Sequence, residues 1–418
     1  MEFKPPKGTR DFLPADMKVR RWVFDVARKV FEKYNLGEVE TPAFESLELL
    51  EAKDALGEQA VKDIYRFEDK AGRKLGLRFD PTTPIARIVA SKRDLTMPLR
   101  WCYNFVRMWR YEDIGKGRYR EFYQSGVEII GSKSSEADAL VLKIVIDFMK
   151  GIGIENFTLR VNSRKILDML ADRLKLDKEK RVEVFRIIDK LDKQGKSAVR
   201  KELMQKGITT DNIEAIMNFI EMKLDEVKNY LNIESVDIED ILNQLLGDYR
   251  NYVKFDPSIA RGLDYYTGFI FETLVQGNED LGSVASGGRY DSLIEKYGGS
   301  PTPATGVGIG VERLLEIVKD KFEKQTKLIY IAPVSKNEKQ KAMEITDSLR
   351  VAGLNIETDI VNRSLGSQMK YAATQKTDFV IIIGEKDLTN KQVTLRDMKD
   401  GSEIKADIST LAELLKKE

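Results

Sequence analysis

The chain has 418 residues, a formal net charge of +1, one cysteine and no histidine. This length exceeds one compact core, so two or three domains are expected. The lack of histidine excludes Ser-His and Cys-His nucleophile pairs, and a single cysteine excludes a disulfide framework and a Cys/His zinc cluster. No apolar run approaches the roughly 18 residues of a membrane span, and the N-terminus lacks a signal-peptide core. A cytoplasmic protein without zinc or membrane contact is predicted, with chemistry that depends on carboxylates, arginines and phenols.

A helix and a short strand are the first predicted elements. Apolar residues recur at three- and four-residue spacing from Val19 to Tyr34, and Gly37 ends the pattern. Residues 38–45 follow as a strand that carries Pro42. Because proline has no backbone N–H, this strand is expected at an edge or an interface.

A short strand and a later hairpin carry several candidate site residues. A short strand is predicted to end at Asp80, and the Pro/Thr segment after it to begin a helix. A long hairpin follows over residues 99–130. The alternation of its second strand places Gln124, Gly126 and Glu128 on one face. We interpret the glycine between two polar side chains as leaving room above the sheet for a small ligand.

Two arginines flank the turn of this hairpin. Arg110 lies just before the loop and Arg118 just after its Gly-Lys-Gly sequence. Paired guanidinium groups at a hairpin can hold a nucleotide phosphate bidentately. Taken alone, the Arg-Tyr-Glu sequence favours a surface hairpin with solvated arginines.

The middle of the chain changes in composition. Residues 164–246 are rich in Lys, Glu, Asp and Leu, contain few aromatic residues, and predict several helices inserted into the first domain. A solvated connecting bundle and an RNA-contacting bundle both fit this composition.

Two glycine-bearing segments follow the helices. Residues 261–268 read Arg-Gly-Leu-Asp-Tyr-Tyr-Thr-Gly and combine a cation, a carboxylate and two phenols at a loop-to-strand junction. Arg-Gly-Leu-Asp alone favours a tight turn with a surface ion pair. Residues 306–314 contain three alternate glycines before Arg313, but their spacing fails the dinucleotide-binding fingerprint. A strand that enters a helix, with Arg313 in the first turns, fits better.

The last part of the chain alternates strands and helices, which predicts a small mixed sheet covered by helices. The predicted elements are a strand at 328–331, a helix at 337–352, a strand at 355–360, a helix at 364–374 and a buried strand at 379–383.

Several of these segments resemble the histidyl-tRNA synthetases, a family of class II aminoacyl-tRNA synthetases. The first helix and strand are similar to motif 1, which forms the dimer interface of that class, and Arg110 to Gln124 is similar to motif 2. Residues 306–314 resemble motif 3, and residues 261–268 and 285–291 resemble segments specific to the histidine enzymes. The implied fold is α+β: an antiparallel-sheet catalytic core with a helical insertion and a C-terminal α/β anticodon-binding domain. The implied boundaries are 1–163 and 247–322 for the core, 164–246 for the insertion and 326–418 for the anticodon-binding domain.

The resemblance also implies an activity and its residues. It implies ATP-dependent ligation of L-histidine to tRNA(His) by a homodimer, through histidyl-adenylate, with Mg²⁺ carried by ATP and no metal on Cys or His. The implied catalytic residues are Arg261 and Arg110. The implied histidine-binding residues are Asp80, Pro81, Thr82, Gln124, Glu128, Arg261, Tyr265 and Tyr266, and the implied ATP-binding residues are Arg110, Glu112, Arg118 and Arg313.

Two other functions share parts of this pattern. The synthetase-like regulatory subunit of ATP phosphoribosyltransferase, from histidine biosynthesis, typically lacks the C-terminal domain and erodes the ATP arginines, which this chain keeps. A class II synthetase for another amino acid is disfavoured by Glu128 together with Tyr265 and Tyr266. Because no side chain here has an unperturbed pKa near about 6.5, a kinetic inflection in that range is expected to belong to the substrate.

Overall fold

The computed structural model describes residues 3–52, 61–260, 265–322 and 327–417. The chain divides into two compact units, Met1–Lys321 and Phe322–Glu418. The first contains a large, mostly antiparallel sheet and the second a smaller mixed sheet, so the predicted α+β class is confirmed. None of the helices in the described ranges is long and apolar enough to cross a membrane.

Eleven strands are described in the first unit. In chain order they are β1 (Gly37–Glu38), β2 (Phe44–Ser46), β3 (Arg66–Glu68), β4 (Lys74–Leu77), β5 (Leu99–Trp109), β6 (Glu121–Ile130), β7 (Phe157–Ser163), β8 (Val253–Phe255), β9 (Phe269–Val275), β10 (Ala285–Arg289) and β11 (Ala304–Gly310). Eight of them form one sheet in the order β1-β5-β6-β11-β10-β9-β7-β8. Its neighbouring strands are antiparallel except at the two edges, where β1 pairs with β5 and β8 with β7 in parallel. The strands β2, β4 and β3 form a separate small antiparallel sheet.

Twelve α-helices are described in the same unit. They are α1 (Pro14–Lys33), α2 (Leu47–Leu50), α3 (Thr82–Ser91), α4 (Ser135–Gly151), α5 (Arg164–Arg173), α6 (Lys178–Ile188), α7 (Leu191–Gln205), α8 (Thr210–Phe219), α9 (Leu224–Leu231), α10 (Asp237–Asn243), α11 (Leu293–Lys296) and α12 (Val311–Val318). The apolar spacing predicted a helix near α1, and this helix buries Val23, Ala27 and Val30 on one face. That face and α4 belong to one hydrophobic core with Val127 and Ile129 of β6. Alternation along β6 therefore turns the residues between them to the opposite side of the sheet.

The single strand predicted over residues 38–45 is wrong. The structure has β1 and β2 in two different sheets, with Pro42 between them. Pro42 cannot donate to a ladder, and its carbonyl accepts a hydrogen bond from the Arg78 guanidinium at 3.2 Å. The chain therefore leaves the large sheet at this point instead of extending its edge.

The segment 164–246 is helical, as predicted, and contains α5 to α10. We call these six helices the helical bundle. Its separate hydrophobic cluster includes Val184, Val199 and Ile216, and also Ile259 and Ile270 from outside the bundle. Its assignment as an inserted domain stays a prediction.

The second unit is built on a five-stranded sheet in which three parallel strands continue into an antiparallel hairpin. Its elements are β12 (Leu328–Pro333), α13 (Lys339–Val351), β13 (Asn355–Thr358), α14 (Leu365–Thr374), β14 (Phe379–Ile383), α15 (Glu385–Thr389), β15 (Gln392–Asp397), β16 (Glu403–Asp407) and α16 (Leu411–Lys417). The strand order is β13-β12-β14-β15-β16. The elements up to β14 were predicted. The four after it were not; β16, for example, is mostly exposed and three of its five residues are charged, so it lacks the apolar pattern of a core strand.

Candidate active site

A cavity of about 660 Å³ lies in the first unit, on the side of β6 that faces away from α1 and α4. Residues of β6, β10 and β11, the start of α3 and the first turn of α12 line it. Eleven of the twelve predicted site residues are among the lining residues: Asp80, Pro81, Thr82, Arg110, Glu112, Arg118, Gln124, Glu128, Tyr265, Tyr266 and Arg313. Their ligands stay predictions. The twelfth, Arg261, lies outside the described residues; its described neighbours Ala260 and Tyr265 both line the cavity.

Asp80 is a buried carboxylate with one oxygen engaged. It precedes α3, and its Oδ1 accepts the backbone N–H of Thr83 at 2.8 Å. Its Oδ2 is buried and has no hydrogen-bond partner among the described residues. Burial raises the pKa of Asp80, against the Thr83 hydrogen bonds and the positive charge of Arg110, which lower it. An unpaired carboxylate oxygen in a ligand-sized cavity is suited to accept from an ammonium group.

Glu128 is the second buried carboxylate of the cavity. Its Oε1 accepts from the Thr82 hydroxyl at 2.7 Å, and its Oε2 accepts a short hydrogen bond from the Tyr290 hydroxyl. Burial raises the pKa of Glu128 to about 8; the Tyr290 and Thr82 hydrogen bonds lower it, and the negative charge of Asp80 raises it further. The chain therefore has a carboxyl group whose pKa is raised far above its ordinary range, although it contains no histidine.

Glycines on the strand beside Glu128 allow this arrangement. In the ladder between β6 and β11, Glu128 lies opposite Gly306, and Gly126 lies opposite Gly308. A Cβ atom on Gly306 would overlap Oε2 of Glu128. The Glu128 side chain can therefore lie across β11 only because residue 306 has no side chain.

The space above Gly126 is filled, so our interpretation of this glycine was wrong. Tyr103 of β5 pairs with Gly126, and a Cβ atom there would overlap the Tyr103 ring and hydroxyl. The Tyr103 hydroxyl donates to the carbonyl of Val307 at 3.2 Å. The glycine thus admits a phenol to the cavity wall and does not itself leave room for a ligand.

Tyr290 was missed by the sequence analysis. Its ring centroid lies 5.8 Å from that of Tyr265, and Tyr265 and Tyr266 lie 4.9 Å apart, so the three phenols form one group beside Glu128. Segment 285–291 was recognised as family-specific, but its tyrosine was given no role. The contact with Glu128 joins residues 162 positions apart and has no signature in either local sequence.

The predicted ATP arginines line the same cavity. Arg110 donates from Nε to the carbonyl of Phe79 at 3.1 Å, and its guanidinium lies 4.4 Å from the Phe79 ring centroid. Arg118 pairs with Glu112, with Nε to Oε2 at 2.9 Å, and Arg313 donates to the carbonyl of Ser283. These contacts orient three guanidinium groups around one space.

The hairpin turn and the start of α12 are packed closely together. Gly117 has φ of +63°, and a Cβ atom there would lie 3.0 Å from Cγ of Arg313. Lys116 also forms an ion pair with Asp280 at 3.0 Å. The Gly117 contact therefore packs the loop that carries Arg118 against the helix that carries Arg313, and the exposed Lys116 pair joins the same loop to the turn before β10.

Comparison with known proteins assigns this chain to a family. A family model described as histidyl-tRNA synthetase matches residues 8–314, and one described as an anticodon binding domain matches residues 328–418. The histidine–tRNA ligase of Thermococcus kodakarensis is 39% identical over 416 residues, 95% of this chain and 94% of that protein.

Solved structures of the same architecture carry two descriptions. The histidyl-tRNA synthetase of a Nostoc species has a TM-score of 0.83 at 29% identity and covers 100% of this chain and 99% of its own. A Bacillus halodurans protein, described as an ATP phosphoribosyltransferase regulatory subunit/histidyl-tRNA synthetase, has a TM-score of 0.74 at 25% identity, over 91% and 98%. Proteins of both descriptions thus share this fold. The two family models and the near-full-length identity to a histidine–tRNA ligase support the synthetase description. The chain belongs to the histidyl-tRNA synthetase family.

Proposed function

We propose that this chain ligates L-histidine to tRNA(His) in two steps, and that the cavity over β6 and β11 is where histidine and ATP react. The buried Oδ2 of Asp80, which has no hydrogen-bond partner among the described residues, carries this proposal, because a cationic donor would satisfy this carboxylate oxygen. Glu128 and three phenols lie on the same cavity wall, where an imidazole ring could meet both an acceptor and hydroxyl groups.

In this assignment the two carboxylates bind opposite ends of the amino acid. Asp80, with Thr82 and Gln124, holds the α-ammonium group. Glu128 accepts a hydrogen bond from one imidazole nitrogen, and Tyr266 meets the other. A site that hydrogen-bonds both ring nitrogens rejects analogues that lack them by roughly 10⁴ or more, because its own polar groups would be left unpaired.

Activation of histidine needs charge stabilisation and no protein base. The histidine carboxylate attacks the α-phosphorus of ATP, the bond to the β-phosphate breaks, and pyrophosphate leaves. Arg110 is assigned to the α-phosphate, Arg118 and Arg313 to the distal phosphates, and Arg261 to the charge that develops during attack. Arg110 and Arg261 are thus the proposed catalytic residues.

Magnesium is assigned to the nucleotide. Glu112 is the carboxylate beside the distal-phosphate arginines, and it is already paired with Arg118 at 2.9 Å. That donor set fits a Mg²⁺ ion that reaches the protein through ATP phosphates, as this ion commonly does. Bound there, it would neutralise phosphate charge.

The second step and the C-terminal unit involve tRNA. The terminal ribose hydroxyl attacks the acyl carbon of histidyl-adenylate, and AMP leaves. We assign binding of the tRNA anticodon to residues 326–418, and the homodimer interface to α1 and the strands after it. A fragment ending near residue 324 is expected to form adenylate but to charge tRNA poorly, and light scattering of the full chain should give the mass of a dimer.

Amino-acid-dependent pyrophosphate exchange tests the central assignment. Exchange with a panel of amino acids should depend on histidine and on no other member. Exchange with another amino acid would transfer the chain to a different class II specificity. No exchange with any amino acid, together with stimulation of an ATP phosphoribosyltransferase, would favour the regulatory-subunit function instead.

A further inference from the structure

Arg160 of β7 joins three parts of the first unit that meet beside the cavity. Its side chain is only 13% exposed and contacts three carboxylates. Its guanidinium lies 3.3 Å from Oδ2 of Asp256, in the loop after β8, and 3.3 Å from Oε2 of Glu272, in β9. It also forms a two-pronged contact with both carboxylate oxygens of Asp192, in the first turn of α7. A planar guanidinium can bind several carboxylates at once, whereas an ammonium cannot do so with the same geometry.

The loop 256–260, which begins at Asp256, leads directly into the predicted histidine-binding segment. The other oxygen of Asp256, Oδ1, accepts from the backbone N–H of Ser258 at 3.0 Å and from its hydroxyl at 2.6 Å. Asn162, two residues after Arg160 and fully buried, donates to the carbonyl of Ile259 at 2.8 Å. Residues of one strand thus hold the loop 256–260 at several points immediately before residue 261.

The Asp192 contact belongs to the part of the helical bundle that reaches the same cavity. Lys190 and Lys193, on either side of Asp192 in sequence, line the cavity, as do Ile259 and Ala260 of the loop. Arg160 therefore connects the cavity-facing end of the bundle to the loop before the histidine-binding segment.

We infer that Arg160 is a positioning residue for histidine activation, and that its contact with Asp192 makes the position of the loop 256–260, whose Ile259 and Ala260 line the cavity, depend on docking of the helical bundle. This inference rests on the proposed function, because it assigns a consequence for adenylate formation. Neither Arg160 nor Asp192 needs to touch a substrate. Their effect passes through Asp256 and the loop 256–260 to residues that do.

Asp192 is the residue to change, because its side chain is 55% exposed and its loss leaves no unpaired buried carboxylate. Arg160 keeps Asp256 and Glu272, so Asp192→Asn should fold. The matched control is Asp172→Asn: Asp172 is 66% exposed and pairs with Arg181, but that pair joins α5 to α6 inside the bundle. Each variant removes one solvent-exposed carboxylate from an arginine. Of the two ion pairs, only the one between Arg160 and Asp192 connects the bundle to the loop 256–260, through Asp256.

The readout is the rate of histidine-dependent pyrophosphate exchange per active site in the full-length protein, with sites counted by adenylate formation. Asp192→Asn should lower kcat about tenfold, or about 1.4 kcal/mol of transition-state stabilisation, with the KM for ATP within about twofold of wild type. Asp192→Glu should recover most of the rate, Arg160→Lys should reproduce the loss, and Asp172→Asn should match wild type. A smaller number of active sites with unchanged kcat would indicate a structural role only and overturn the inference.

The outcomes separate the two proposals. Wild-type exchange with equal kcat in Asp192→Asn and Asp172→Asn overturns the positioning role and leaves the proposed function standing. Absence of histidine-dependent exchange in the wild type overturns the proposed function, and the inference falls with it.

Discussion

Replacing Asp80 by asparagine should stabilise the unliganded protein and weaken histidine binding at the same time. Asp80 is 4% exposed, and one of its oxygens has no partner among the described residues. An asparagine keeps the size of the side chain and can still accept the hydrogen bond from the Thr83 N–H. It removes the charge that the buried environment disfavours and that the proposed ammonium contact requires.

The sign of the stability change follows from the pKa. Burial raises the pKa of Asp80, so the folded protein holds this proton more tightly than the unfolded chain. The carboxyl therefore lowers stability as pH rises above its unfolded value of about 3.9, and the loss is complete once pH exceeds the folded pKa. Asp80→Asn should have a larger free energy of unfolding than wild type at neutral pH, and so unfold at a higher temperature, because it removes the buried charge. The difference should shrink toward pH 4.

The loss of histidine affinity can be estimated from the proposed contact between Asp80 and the ammonium group, which the substitution removes. A hydrogen bond to a charged group contributes about 1.5–3 kcal/mol, so the histidine Kd should rise about 10- to 150-fold. Thermal unfolding with and without histidine measures both effects, since ligand at 100 times its Kd adds about 2.7 kcal/mol to wild type. The variant should gain far less at that concentration.

A second buried aspartate supplies the contrast. Burial raises the pKa of Asp138 as well, against the positive charge of Arg289, which lowers it. The Arg289 guanidinium binds Asp138 at 2.8 Å, so Asp138→Asn takes a carboxylate away from a buried cation and should destabilise the protein by about 3–5 kcal/mol. Opposite shifts in the two variants would support the reasoning. A lower unfolding temperature in Asp80→Asn, or an undiminished response to histidine, would show that Oδ2 is satisfied in the protein and does not await an ammonium group.

Three further substitutions test other contacts of the cavity. Tyr290→Phe removes a hydrogen-bond donor that lowers the pKa of Glu128, so that pKa should rise above about 8. The pH midpoint of kcat/KM for histidine should then move upward, and an unchanged midpoint would exclude Glu128 as its source. Gly306→Ala places a Cβ atom onto Glu128 and should abolish histidine-dependent exchange while ATP binding, measured by calorimetry, is kept. Arg118→Ala should raise the KM for ATP about tenfold and leave the histidine Kd unchanged, and a matching loss in histidine binding would place Arg118 elsewhere in the mechanism.

The alternation of β6 could be predicted because it depends on local geometry alone. A strand turns successive side chains to opposite faces, so Gln124 and Glu128 had to share a face wherever the strand was placed. The ladder confirms this, since both lie opposite glycines of β11. Two glycine-bearing segments, 119–130 and 306–314, could each be recognised, but their pairing joins distant parts of the chain and appears only in the structure.

The electrostatics of the cavity could not be predicted, because they depend on what surrounds each group. With no histidine in the chain, we expected a kinetic inflection near neutral pH to belong to the substrate. The structure adds Glu128, with a pKa raised to about 8 by burial, as a second source. Similarly, the Tyr290 contact joins residues far apart in the chain. The hairpin of β5 and β6 was predicted, but the register that places the Tyr103 ring over Gly126 was not.

The two buried carboxylates affect each other, so recognition of the two ends of histidine should be coupled. The charge of Asp80 raises the pKa of Glu128, and an ammonium group bound to Asp80 would offset that charge. Glu128 should then ionise more readily and become a better acceptor for the ring. The same coupling means that a ligand with an imidazole but no α-ammonium group should lose more affinity than the Asp80 contact alone supplies, because it also meets Glu128 in its protonated state. The size of that excess, measured with imidazole derivatives in wild type and in Asp80→Asn, is the interaction free energy between the two ends of the site.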